Sequence, residues 1–280
     1  MIATAKHRPA TFADLHRKLG EVPLDRIRLF PAPGTATEAD LLTAGKPICE
    51  LIDGVLVEKA LSGRESIAKH LPATFADLHR KLGEVPLDRI RLIPAPGTAT
   101  EADLLTAGKP ICELIDGVLV EKPMGARESL LAGVIIQLFR NHIEADDLGV
   151  VLGADGFLRI LPGQIRAPDV SFIPWSTLPG GQIPEGEAYW SIVPALAVEV
   201  LSPTNTKAEI DRKLRELLAA GCKLAWVIEP ETQKARVYTS AKRSREIDET
   251  GTLNGGKVLP GFTLLLANLF AATRRRESTR

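Results

Sequence analysis

The sequence predicts an α/β protein in which a mixed central sheet is flanked by helices. Three features indicate this class. Apolar residues recur at helical spacing over residues 128–144, and a nearly all-apolar strand is predicted over residues 196–201. A capped helix that ends at Gly221 then leads to a further strand over residues 224–228. Because hairpins lie between these segments, the sheet should mix parallel and antiparallel neighbours.

The smaller elements have local signals of their own. Thr74 and Thr100 are each followed three residues later by an aspartate, a capping-box-like start for two short helices. Asp116-Gly117 predicts a tight turn between two strands. Asn205 or Thr206 is the expected cap of the helix that ends at Gly221. Further short strands are predicted over residues 150–152, 157–160, 170–173 and 236–238.

A tandem duplication occupies the first part of the chain. Ala5–Lys59, here called copy one, returns as Ala68–Lys122, called copy two, at an offset of 63. The 55 aligned positions differ twice, Arg8 against Leu71 and Phe30 against Ile93. Solenoid repeats usually come in three or more diverged copies, so a recent duplication or an error in the gene sequence is favoured over a stacked array.

The sequence from about residue 130 onward occurs only once, and we call it the unique region. A domain built from one copy and the unique region can therefore form only once in the chain. We therefore predict that residues 1–67 are a surplus segment, which is partly ordered at most or packs loosely. Residues 68–270 should form one α/β domain, and residues 271–280 a basic tail. As an alternative, the two hairpins could compete for one position, and exchange between chains is then conceivable.

Composition limits the classes of function. Among 280 residues, 35 basic and 35 acidic side chains give a formal net charge of zero. This argues against a non-specific nucleic-acid binder of high affinity, although a local basic cleft is compatible with it. The three cysteines form no paired metal motif. With no apolar run of membrane-spanning length and no apolar signal core, we expect a cytoplasmic protein with no membrane partner.

Two carboxylates stand in predicted apolar strands, where a charge is costly unless it is paired or binds a cation. Asp169 follows Pro168 at the start of one strand, and Glu199 interrupts another. Two carboxylates that meet on neighbouring strands would suit Mg²⁺, which takes one or two carboxylates and keeps several waters. The alternative interpretation is that Asp169 is a turn residue and Glu199 pairs with an arginine.

The helix after Glu199 adds two candidates. Glu209 and Lys213 are four residues apart and therefore share one face of that helix. Lys213 could reach back over the strand end and position or polarise a water molecule. The alternative is an ordinary surface ion pair between Glu209 and Lys213.

Four segments occur in a defined order. They are Glu113-Leu-Ile-Asp-Gly, Arg166-Ala-Pro-Asp169-Val-Ser-Phe, Val198-Glu199-Val-Leu-Ser-Pro203 and Lys213-x-x-x-Leu217-x-x-x-Gly221. In this combination the chain resembles the Uma-type family of putative restriction endonucleases, which belongs to the PD-(D/E)XK nuclease superfamily. The resemblance covers roughly residues 75–262.

The resemblance implies a restriction-endonuclease-like fold and a Mg²⁺ ion bound by Asp169 and Glu199. It also implies that Glu113 lies near the same metal or its water shell. The superfamily's usual lysine position, two residues after the glutamate, is Leu201 in this chain. Lys213 on the following helix corresponds to the lysine that family members of this type carry instead.

Two positions depart from the family's pattern. Leu217 stands where the family commonly has a tyrosine, and Glu128 stands where a histidine is often found. Glu128 remains a candidate acidic site residue, as does Glu209. The copy-one counterparts Glu50 and Glu65 are expected to lie outside the site.

The resulting hypothesis is a Mg²⁺-dependent endonuclease that hydrolyses phosphodiester bonds in DNA. The alternative is a catalytically degenerate nuclease-fold module that binds nucleic acid or a protein partner. A homodimer is plausible for an enzyme that cuts a duplex, because two sites related by a two-fold axis suit two strands. Thermal stabilisation by Mg²⁺ that requires Asp169 would favour a functional metal site.

Overall fold

The structure is a computed structural model, which describes residues 11–44, 48–59, 74–123 and 125–273. These residues fall into two compact units. The first contains the chain up to Glu121 together with Thr206–Glu209, and the second contains Lys122–Asn205 and the chain from Ile210 onward. The division thus follows the end of copy two. The surplus role of residues 1–67 stays a prediction, and Glu65 and most of the basic tail (274–280) lie outside the described residues.

In the first unit each copy forms the same elements. They are α1 (Phe12–Lys18), α2 (Glu38–Thr43), β1 (Cys49–Ile52) and β2 (Val55–Glu58) in copy one, and α3 (Phe75–Lys81), α4 (Glu101–Thr106), β3 (Cys112–Ile115) and β4 (Val118–Glu121) in copy two. The capping boxes predicted at Thr74 and Thr100 are present. Asp116 and Gly117 have φ values of 48° and 74°, as a tight hairpin turn requires. Both hairpins are formed, so neither displaces the other in this structure.

The two copies share one hydrophobic core. A 3₁₀ turn precedes the strands of each copy, at Leu24–Arg26 and at Leu87–Arg89. Directly after these turns, Ile27 of copy one and Ile90 of copy two are fully buried. The rings of Phe12 and Phe75 stack on each other within the same core, which also contains side chains from β2 and β4. Copy one is therefore packed against copy two in the part of the chain that the structure describes.

The second unit contains three helices and ten strands among its described residues. They are α5 (Ala126–Glu144), β5 (Gly149–Leu152), β6 (Leu158–Leu161), β7 (Gln164–Arg166), β8 (Val170–Pro174), β9 (Leu196–Val200), α6 (Lys207–Ala220), β10 (Leu224–Glu229), β11 (Lys234–Ser240), β12 (Arg243–Ile247), β13 (Thr252–Asn254), β14 (Thr263–Leu265) and α7 (Leu266–Ala271); the first turn of α6 belongs to the first unit. The central sheet has the order β12-β11-β10-β9-β8-β5. Strands β9 and β10 run parallel and the other neighbours antiparallel, which confirms the predicted mixed sheet.

Helices pack on the central sheet through alternating side chains of its strands. Trp226 of β10 packs in one cluster with Phe139 of α5, and their rings meet edge to face at 5.6 Å. Ala225 and Val227 of the same strand belong to another cluster, which contains Ile210 and Leu214 of α6. Because successive strand residues point to opposite faces, α5 and α6 lie on opposite sides of the sheet. This confirms the predicted fold class.

Several short strands were not predicted from the sequence. β12 is an edge strand in which Arg243 and Arg245 are exposed, so it has no apolar alternation to identify it. β7, β13 and β14 have three residues each, which is too short for a periodic signal. Across the described ranges, no helix combines the length and apolar character needed to cross a membrane.

Burial suppresses the reactivity of the cysteines. It raises the pKa of the Cys112 and Cys222 thiols to about 11 and also raises the pKa of the Cys49 thiol. Since the thiolate is the nucleophile, only about one thiol in a thousand would be reactive at pH 8 for a pKa near 11. We expect slow labelling of Cys112 and Cys222 by iodoacetamide in the native protein and rapid labelling in urea, measured by mass spectrometry. Equal labelling rates in both states would contradict this.

Candidate metal and active site

Two acidic residues occupy opposite positions where the strands β8 and β9 pair. The strands are antiparallel, with Val170 opposite Val198. Asp169 directly precedes Val170 and Glu199 directly follows Val198, so the register places Asp169 opposite Glu199. An oxygen of Asp169, Oδ2, accepts a hydrogen bond of 2.8 Å from the backbone N–H of Val200. This bond fixes the Asp169 carboxylate beside the end of β9.

The alternation of β9 determines which way Glu199 points. Val198 and Val200 lie in the cluster on the α5 side of the sheet. Ala197 lies in a different cluster, together with Leu217 of α6. Glu199 is two residues after Ala197 and therefore shares its face, toward α6. The glutamate that interrupts this apolar strand thus points to the helix that carries Lys213.

Lys213 contacts Glu199 directly. Its Nζ atom lies 2.7 Å from Oε1 of Glu199, and each side chain is only 7% exposed. Lys213 stands three residues after Ile210 and four before Leu217, so the three share the buried face of α6. Leu217 is fully buried in the core. The structure therefore brings Asp169, Glu199 and Lys213 into one arrangement.

A buried ionic network attaches the same helix to β7. Glu216 of α6 accepts a 3.0 Å hydrogen bond from Nε of Arg166, the arginine of the Arg166-Ala-Pro-Asp169 segment. Its other oxygen accepts a 2.6 Å hydrogen bond from Nε of Arg212. The Arg166 side chain is 2% exposed. Because these bonds hold α6 near the strand that leads to Asp169, they also hold Lys213 in reach of Glu199.

Lys122 contacts Asp169, although the sequence did not single it out. Its Nζ atom donates to the carbonyl oxygens of Ala154, at 2.9 Å, and Ala167, and lies 3.3 Å from Oδ1 of Asp169. Its copy-one counterpart, Lys59, is 51% exposed and lies 3.5 Å from Glu50. Nothing in the repeated sequence distinguishes the two lysines, since both follow Val-Glu. The two lysines differ in the residue that follows, which is Ala60 after Lys59 and Pro123 after Lys122.

The remaining sequence candidates are Glu113, Glu128 and Glu209. Glu113 is buried in β3 of the first unit. Glu128 lies in the first turn of α5, where an acidic side chain suits the helix dipole. Glu209 forms a bidentate ion pair with Arg89, with N–O distances of 2.9 and 2.6 Å, and belongs to the first unit. The predicted site roles of Glu113, Glu128 and Glu209 stay predictions.

The donor set of Asp169 and Glu199 fits a hard divalent cation. Mg²⁺ is usually bound in proteins by one or two carboxylates and retains water molecules for its other positions. Across the described ranges, no cluster of three or more His, Cys, Asp or Glu side chains could hold a metal. Two carboxylates suit Mg²⁺ better than an ion that needs a complete protein cage. In this site both carboxylates also contact a lysine.

Comparisons with known proteins agree with the predicted fold. The sequence pattern of the Uma2 family, described as "Putative restriction endonuclease", matches residues 100–268. A crystal structure from Anabaena variabilis ATCC 29413, described as a putative nuclease belonging to DUF820, is similar with a TM-score of 0.53 at 20% identity. The alignment covers 59% of this chain and 92% of that chain. No curated protein matches the chain.

Proposed function

Because this chain belongs to the Uma2 family, we propose that it is a Mg²⁺-dependent endonuclease that hydrolyses phosphodiester bonds in DNA. The observation that carries the proposal is the position of Asp169 opposite Glu199, with Lys213 2.7 Å from Glu199. Two carboxylates and a lysine in one place match the needs of metal-assisted phosphodiester hydrolysis.

The protein groups would have distinct roles. Asp169 and Glu199 would hold Mg²⁺, which when bound neutralises charge on a phosphate and lowers the pKa of water. Lys213 would stabilise the negative charge that develops on the phosphate or the attacking hydroxide, because its ammonium group already lies 2.7 Å from the Glu199 carboxylate. Lys122 would act as a positioning residue, since its contacts to two carbonyls and to Asp169 fix that carboxylate.

The two lysines also support a second candidate function. Each carboxylate of the site has a cationic neighbour in the protein, Lys122 for Asp169 and Lys213 for Glu199. A buried carboxylate that is already paired carries a smaller penalty than an isolated one. The arrangement would therefore also suit a nuclease-fold module that binds nucleic acid or a protein partner without cleaving a bond.

A nicking assay on supercoiled plasmid DNA tests the proposed activity. We expect the full chain to convert supercoiled to open-circular plasmid with Mg²⁺ and to be inactive with EDTA. We also expect a chain that lacks residues 1–66 to nick the plasmid, because the proposed site draws on copy two and the unique region. Absence of nicking by both forms would contradict the enzyme proposal, and loss in the shortened chain alone would contradict the surplus role of copy one.

Thermal unfolding with and without Mg²⁺ separates the two candidate functions. A site that binds Mg²⁺ only in the folded state should gain about 2.7 kcal/mol at a concentration 100 times the dissociation constant. This gain should disappear in Asp169→Ala and persist in Glu249→Gln, whose side chain is exposed on a turn of the same unit. Stabilisation by Mg²⁺ without nicking would favour the binding module.

A further inference from the structure

The helices α1 and α3 are exchanged between the two copies. The backbone N–H of Phe12 donates to the carbonyl oxygen of Ile90 at 2.9 Å, and that of Phe75 donates to Ile27 at 2.8 Å. Isolated bridges repeat the relationship, Thr11 with Arg91 and Arg28 with Thr74. Each helix therefore docks on the 3₁₀ turn and strand entry of the other copy. We call the surface around Phe12, Ile27, Phe75 and Ile90 the paired face.

Each helix depends on this docking. α1 and α3 have seven residues each, fewer than a helix needs for stability in isolation. The first N–H groups of a helix have no acceptor within the helix itself, and the other copy supplies one to Phe12 and to Phe75. The two phenylalanine rings are fully buried and lie parallel, with centroids 3.3 Å apart. If either helix were not docked, its phenylalanine ring would be exposed to solvent. The backbone N–H of that phenylalanine would then bond to water.

Copy two contains every residue that copy one contributes to the paired face. Phe75 and Ile90 are the counterparts of Phe12 and Ile27 at the offset of 63. The substitution between Phe30 and Ile93 lies outside the face, since these side chains are 59% and 74% exposed. In both directions, the phenylalanine N–H of one copy donates to the isoleucine carbonyl of the other. Such a surface is self-complementary, as in two-fold symmetric dimers.

We propose that the paired face is a self-association surface and that its partner is a second copy of itself. In the wild-type chain, copy one already occupies the face of copy two. When one copy can no longer dock, the intact copy pairs with the intact copy of a second chain. Phe75 of each chain then stacks on Phe75 of the other and donates its N–H to the carbonyl of Ile90 in the other chain.

Charge substitutions in the full chain test this pairing. We expect Phe12→Asp to double the molar mass relative to the parent chain in light scattering, because only copy two keeps a functional face. Phe75→Asp should do the same through copy one. The double variant Phe12→Asp/Phe75→Asp should return to the parent mass, because neither copy can then pair.

Two controls make the result specific. Leu42→Asp introduces the same charge at a side chain that is 86% exposed and should leave the mass unchanged. All three tryptophans, Trp175, Trp190 and Trp226, lie in the second unit, so their fluorescence reports its fold independently. Parent mass in both single variants with native tryptophan fluorescence would overturn the proposal. Association beyond a doubling, or association that persists in the double variant, would also overturn it.

Discussion

Glu199→Gln should reduce Mg²⁺-dependent plasmid nicking by about 100-fold or more. The substitution keeps the size of the side chain and removes the charge that would hold the metal. Loss of a group that only supports a metal ligand typically costs about 10–100-fold, so loss of a ligand should cost at least the upper end of that range. Asp169→Ala should have an effect of the same order. Initial nicking rates at saturating Mg²⁺ measure both.

Stability has to be separated from activity in this experiment. Glu199→Gln leaves the Lys213 ammonium group without the carboxylate that lies 2.7 Å away, and breaking a buried pair destabilises a protein by about 3–5 kcal/mol. The double variant Glu199→Gln/Lys213→Met removes both charges and should recover most of that stability while nicking stays lost. Glu249→Gln is the matched control. Wild-type nicking by Glu199→Gln and Asp169→Ala would reject this site.

Glu216→Gln should destabilise the second unit by about 3 kcal/mol or more. Glu216 accepts hydrogen bonds from two arginines, and its side chain is 13% exposed. Without its charge, Arg166 and Arg212 lose the carboxylate that attaches α6 to β7 and repel each other in a poorly hydrated place. Urea unfolding followed by tryptophan fluorescence measures the loss.

An exposed ion pair provides the comparison for Glu216. Lys234 and Glu246 lie 2.6 Å apart on neighbouring strands, with side chains that are 43% and 56% exposed. Water and salt screen such a pair, so Glu246→Gln should leave the urea midpoint almost unchanged. If Glu216→Gln and Glu246→Gln shifted the midpoint equally, the network around Arg166 would not be what holds α6 in place.

The central part of the fold follows from patterns that are local in the sequence. The apolar run around Glu199 predicts a buried strand, and the capped amphipathic helix after it predicts α6. Period-two alternation in β9 and the helical spacing of Lys213 with Leu217 then bring the glutamate and the lysine together. For this reason Asp169, Glu199 and Lys213 could be identified as candidates before the structure was known.

Other features depend on contacts between distant segments of identical sequence. Lys59 and Lys122 have the same preceding residues, yet only Lys122 contacts Asp169. Phe12 and Phe75 are likewise equivalent in sequence, and a pattern of apolar residues does not say whether a helix docks on its own copy or on the other. The sequence predicts which residues of each copy are buried. It does not predict which copy each helix packs against.

The stacking of Phe12 on Phe75 joins two surfaces that belong to one polypeptide. Association within a chain depends on an effective concentration that is set by the connecting segment. It does not depend on the concentration of the protein in solution. Two separate chains that used the same surface would dissociate when diluted below their dissociation constant. With both copies in one chain, this contact is therefore independent of the protein concentration.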